Sequence, residues 1–188
     1  FTMYQNGDNF EICIQKLIEL LAIERFPLLE EREKHLKELI SDGEDFCSDI
    51  ANYIFYNESG KFDTFFEDMI KTFPGYASDI FLKRASLFFI QLYRQYGVFK
   101  SEMYNLHIPA DYQVPKMLYR FQILSYQVYL QELIKNQVTI PKGSLEECSI
   151  RAATIIASKK IQEKTGYNVS EIDAYLWLKR KEATAPFH

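Results

Sequence analysis

Apolar residues recur every three or four positions along most of this chain, and no stretch alternates apolar with polar for long enough to make a strand. The pattern predicts an all-α fold. After a capping turn at Asn6-Gly7-Asp8-Asn9, Phe10, Ile12, Cys13, Leu17, Ile18, Leu20 and Leu21 mark a first helix. A second opens at Pro27, with Leu28, Leu29, Leu36, Leu39 and Ile40 behind a solvated face of Glu30, Glu31, Arg32, Glu33 and Lys34. Ser41-Asp42-Gly43 breaks it, and Phe46, Ile50, Ile54 and Phe55 continue as a third. Beyond a loop at Asn57-Glu58-Ser59-Gly60, the stripe Phe62, Phe66, Met69, Ile70 and Phe73 predicts a fourth, ended by Pro74-Gly75.

From about Ser78 to Tyr96 the pattern is apolar around most of the circumference, which predicts the central helix. Lys83 and Arg84 stand inside it, and charged groups in a buried helix need partners or must reach solvent along their stems. Gly97 ends this helix. A later helix is expected from the residues after Asp111 to about Asn136, followed by a connector at Val138–Gly143. Ser144 with Glu147 reads as a capping box, opening a helix that carries Cys148, Ile150, Ala153, Ile155, Ile156 and Ile161 until Gly166. Ser170 with Asp173 reads as a second box at a final helix holding Tyr175, Leu176, Trp177 and Leu178. The expectation is a single domain over residues 1–188 with about eight helices.

One stretch is stiffer than the rest. In Pro109-Ala110-Asp111-Tyr112-Gln113-Val114-Pro115 each proline fixes its own φ and restricts the residue before it. Asp111 is thereby held at the positive end of the helix that follows. An aspartate in that position is most often a cap.

Composition narrows the partners. With 188 residues, 47% hydrophobic and 26% charged, the chain is ordinary for a globular protein, and no apolar run is long enough to span a bilayer. Net charge is −4, and the longest basic cluster is Lys179-Arg180-Lys181, so the footprint of a duplex or long-RNA binder is missing. A small-molecule substrate fits better, with no stable nucleic acid or membrane partner. Cys13, Cys47 and Cys148 are widely spaced, which suggests neither a disulfide framework nor a zinc site and favours a reducing, cytoplasmic setting.

Phosphate loops, nucleophile elbows and zinc-protease motifs are all missing from the sequence. What remains is Asp111 and Asp173 at helix starts, Lys83 and Trp177. Such a set suits the breaking of an N-glycosidic bond, where a fixed anion stabilises the oxocarbenium-like sugar and an aromatic ring holds the leaving base.

At Ala110-Asp111-Tyr112-Gln113-Val114-Pro115 the sequence resembles the queuosine salvage protein family, with its A-D-Y-x-[VIL]-P motif. Phe26-Pro27-Leu28-Leu29-Glu30-Glu31-Arg32, Phe81-Leu82-Lys83-Arg84-Ala85, Cys148-Ser149-Ile150, Asp173-Ala174-Tyr175-Leu176-Trp177 and Pro186-Phe187-His188 resemble further family elements, in the family's order. The resemblance implies an all-helical fold akin to helix-hairpin-helix DNA glycosylases. It also implies a cofactor-free and metal-free enzyme that hydrolyses queuosine 5′-monophosphate, or queuosine, and releases queuine for tRNA modification. Asp111 would be the catalytic carboxylate, with Lys83 facing the same pocket. Asp173 would bind the base or its amine arm, and Trp177, Tyr112, His188 and Arg84 would complete the substrate site. The portion before Phe26 is shorter than the family's, relatives continue past His188, and Glu146-Glu147 stand where relatives carry Arg-Gly. Two alternatives stay open: a non-catalytic helical protein that binds queuine or a nucleotide, and a glycosidase for another modified nucleotide or a DNA base.

Overall fold

Residues 10–24, 27–56 and 59–180 are described by the computed structural model, and every regular element among them is helical. They form ten α-helices and a short 3-10 helix. The Asn6–Asn9 turn, Phe26, the Asn57-Glu58 part of the predicted loop and the closing Pro186-Phe187-His188 lie outside the described residues. Contacts divide the chain into two compact units, Phe1–Ser78 and Asp79–His188.

The first unit holds α1 (Phe10–Ile23), α2 (Leu29–Asp42), α3 (Glu44–Tyr56), α4 (Phe62–Thr72) and the single turn α5 (Pro74–Ala77). Its core is built of buried pairs four residues apart, Ile14 and Ile18 on α1, Phe46 and Ile50 on α3, and Phe65 and Met69 on α4, of which Ile14 and Phe65 stand outside the predicted stripes. The Phe46 and Phe73 rings meet edge to face at 5.5 Å, and Tyr53 meets Phe65 at 5.4 Å. A Cβ at Gly60 would lie 2.5 Å from the Phe65 ring and 2.9 Å from the Tyr53 ring, so a larger residue there would have to push these rings aside. One expectation is corrected in this unit: the second helix opens at Leu29, after Leu28 takes a left-handed φ of 57°. α4 ends just before Pro74, as expected, and Pro74 then opens the single turn α5.

The second unit holds α6 (Lys83–Tyr96), the 3-10 helix Glu102–Tyr104, α7 (Gln113–Arg120), α8 (Val128–Lys135), α9 (Leu145–Thr165) and α10 (Val169–Lys179). Phe89, Ile90, Met103, Val114, Met117, Leu118 and Leu176 form its core. The predicted central helix is five residues shorter at its start than expected. The Asp79 carboxylate accepts N–H bonds from Phe81 (3.3 Å) and Lys83 (3.0 Å), while Leu82 adopts a left-handed φ of 48°, and the two together delay the helix to Lys83. Nor is the helix buried all round: Ala85, Ser86, Phe89 and Ile90 face inward, whereas Arg84 and Leu87 are exposed.

The helix expected from Asp111 to Asn136 is two helices. Gln122 turns left-handed at φ 58°, and the Ile123 and Leu124 N–H groups both fold back to the Leu118 carbonyl, at 2.9 and 3.2 Å. Tyr126 then stacks on Tyr119 with centroids 5.0 Å apart, and burial beside Tyr119 pushes its phenol up to about 12. The break at Gln122, with the extra turn at α5, explains why ten helices stand among the described residues where eight were expected.

Candidate active site

Asp111 sits at the start of α7 as its local sequence dictates. Ile108, Pro109, Ala110, Val114 and Pro115 are all buried, so the turn is anchored on both sides of the half-buried aspartate. The Asp111 N–H folds back to the Pro109 carbonyl at 2.7 Å. Its Oδ1 accepts from the Gln113 N–H (2.8 Å) and the Val114 N–H (3.1 Å), taking up two of the free donors of the helix end. Pro115 fits within the first turn, where a missing N–H costs nothing. The side chain therefore caps α7 through one oxygen, and Oδ2 accepts no hydrogen bond among the described residues.

Lys83 is the first residue of α6, half-buried. A cation at a helix N-terminus opposes the helix dipole, which costs roughly 0.3–1 kcal/mol. Its ammonium has no ion-pair partner among the described residues, while its N–H is bound by the Asp79 carboxylate.

Asp173 does not open α10. Asn168 does, with its Oδ1 accepting from the Glu171 N–H (3.1 Å) and the Glu171 carboxylate accepting from the Asn168 N–H (2.8 Å). That corrects the reading of Ser170 and Asp173 as a capping box. Both lie within the helix and are bound by Arg94 of α6, which donates Nε to Ser170 Oγ (3.0 Å) and Nη2 to the Ser170 carbonyl (2.7 Å) and to Asp173 Oδ2 (2.9 Å). Burial raises the Asp173 carboxyl above its ordinary 3.8; the bond and charge of Arg94 pull it back, and the charge of Asp111 pushes it up again. The two aspartates are thus close enough to feel each other.

Arg151 of α9 is the hub of this region. It donates Nε to the Ala110 carbonyl (3.0 Å), Nη1 to Glu147 (3.0 Å) and Nη2 to the Asp79 carboxylate, with its guanidinium 4.6 Å from the Phe81 ring centroid. Burial works to raise the Asp79 carboxyl, but the bonds from Arg151 and from the Lys83 and Phe81 N–H groups hold it below its ordinary 3.8. Neither Arg94 nor Arg151 stands out in the sequence, since the aspartates they bind lie 79 and 72 residues away.

The remaining predicted residues are spread more widely. Tyr112 is 64% exposed beside Asp111. Trp177 shares with Asp173 a face of α10, is 41% exposed, and has the Arg180 guanidinium 3.8 Å above its ring. Arg84 is exposed on α6, and His188 lies outside the described residues. A cavity of about 600 Å³ in this unit is lined by Phe121, Ile123, Ile161, Tyr167, Tyr175 and neighbours, and by none of the predicted site residues. Among the described residues no cluster of three or more His, Cys, Asp or Glu side chains is arranged to hold a metal ion, and no helix is long and apolar enough to cross a membrane.

The family model described as "Queuosine salvage protein" matches residues 4–188. A queuosine 5′-phosphate N-glycosylase/hydrolase of Dictyostelium discoideum is 36% identical over 106 residues, covering 52% of this chain and 33% of that protein. One from Sphaerobacter thermophilus is 33% identical over 121 residues, covering 57% of this chain and 37% of that protein. The matched stretch thus spans about a third of either relative.

Proposed function

Because this chain belongs to the queuosine salvage protein family, we propose that it serves the hydrolysis of the N-glycosidic bond of queuosine 5′-monophosphate or queuosine, releasing queuine. The observation that carries this reading is the Asp111 turn, in which one carboxylate oxygen is fixed by two backbone N–H groups and the other is left without a partner among the described residues. In the reaction the bond from the anomeric carbon to the base nitrogen breaks and its electron pair leaves with the base, which takes up a proton. A water oxygen then bonds the anomeric carbon and gives up its own proton. An anion pre-set beside that carbon stabilises the positive charge that develops on the sugar, and because it is already oriented it needs little reorganisation during the step.

Lys83 supplies a cation to the same chemistry, suited to the sugar-phosphate or to orienting Asp111. Asp173, with one oxygen held by Arg94, offers its Oδ1 to the base or its amine arm, and Tyr112 and Trp177 offer aromatic surface. Arg84 and His188 complete the proposed substrate set. The odd number and wide spacing of the three cysteines favour a reducing, cytoplasmic setting.

The test uses both substrates, with chromatography and mass detection of free queuine, and Asp111→Asn alongside. Asparagine keeps an oxygen that can cap Gln113 and Val114 but removes the charge, so the fold is retained. The variant is expected to lose about 10²- to 10³-fold in kcat. Release that is unchanged in the variant, or binding of queuine with no release by either protein, overturns the reading in favour of a binding role.

A further inference from the structure

We propose that Arg151 is a positioning residue that holds the Asp111 turn and the start of the Lys83 helix in register with each other. The proposal rests on the reading that Asp111 and Lys83 act on the glycosidic bond. Each depends on a local device: Asp111 on the turn that runs from the Pro109 carbonyl through Ala110, and Lys83 on the Asp79 carboxylate that decides where α6 opens. Arg151 binds both. Its Nε holds the carbonyl directly before Asp111, and its Nη2 holds the carboxylate that also accepts the Lys83 N–H.

The chemistry of the side chain suits this task. A guanidinium is a rigid plane whose donors leave in fixed, divergent directions, so fixing two partners fixes the angle between them. Lysine offers one point charge and cannot do the same. Arg151 is only 12% exposed in its side chain, lies over the Phe81 ring, and has its remaining edge taken up by Glu147 one turn earlier on α9. It therefore has little room to turn, and both devices are referred to the frame of a 21-residue helix. The left-handed Leu82 directly before Lys83 shows how closely that start is determined, since a branched aliphatic residue keeps such a backbone only where its surroundings enforce it.

The test compares the parent protein, Asp111→Asn, Arg151→Lys and Arg151→Gln in queuine release, together with amide hydrogen exchange of the parent and both Arg151 variants. Arg151→Lys keeps the charge and guards against a variant that fails to fold. It is expected to lower kcat about 10- to 100-fold while KM stays within about threefold, the signature of misplaced reacting groups rather than lost binding. Exchange should quicken together at the Phe81 and Lys83 amides and at the Gln113 and Val114 amides, and stay unchanged at Ile172 in α10. A kcat retained by Arg151→Lys where Asp111→Asn is impaired overturns the proposal and leaves the glycosidase reading standing. Exchange that quickens at only one of the two starts, or equally in α10, also overturns it. If the parent releases no queuine, the glycosidase reading falls, and the paired exchange alone decides whether Arg151 couples the two starts.

Discussion

A carboxylate as buried as that of Asp173 needs a compensating cation, and Arg94 supplies it from α6. Removing that cation, as in Arg94→Met, leaves the aspartate facing only burial and the charge of Asp111, both of which disfavour its ionised form. We expect a loss of roughly 1–3 kcal/mol at neutral pH, below the full cost of breaking a buried pair because the Arg94 side chain is 29% exposed. The sign of the pH dependence follows. A carboxyl whose folded-state pKa is raised binds its proton more tightly when folded, so its contribution favours folding at low pH and is lost as pH rises through the raised value. The Arg94→Met variant should therefore close part of its gap to the parent between about pH 7 and about pH 4.5, as read from urea midpoints. A gap that widens on acidification would show that Arg94 does not serve Asp173.

At the scale of the element, the helix starts carry the information. The capping box of Asn168 and Glu171 is complete, and the Asn168 amide also reaches the Tyr93 hydroxyl at 3.5 Å. Asn168→Ala should cost about 1–2 kcal/mol in chemical unfolding, near the upper end for a cap because the side chain is buried. An effect below a few tenths would mean that packing alone sets the start of α10. Ser144 was legible in sequence, and its Oγ does accept the Glu147 N–H at 3.2 Å. The same spacing rule misplaced the last helix, because Asn168 to Glu171 and Ser170 to Asp173 are both three residues apart and only tertiary contact with Arg94 separates them. The interruptions at Leu82 and Gln122 were not legible, since neither residue type prefers the left-handed region that each adopts. Periodicity ran straight through both.

For the whole molecule, the all-α class followed from periodicity, and the Asp111 turn from its two prolines. The architecture of the site did not, because it depends on two arginines reaching across tens of residues, and hydrophobic patterning carries no signal for such pairs. Charge makes a prediction at this scale. With net charge −4, binding to duplex DNA that weakens steeply between about 50 and 200 mM salt is not expected, and finding it by fluorescence anisotropy would restore the base-excision reading. The second unit also contains the chain's sole tryptophan, with Arg180 over its ring. Indole emission consequently reports on α10 and its surroundings alone, whereas far-ultraviolet circular dichroism averages over both units. Melting curves from the two signals will superimpose only if the units unfold in one cooperative step. That tryptophan is thus a built-in reporter of whether the half of the chain carrying Asp111 can come apart by itself.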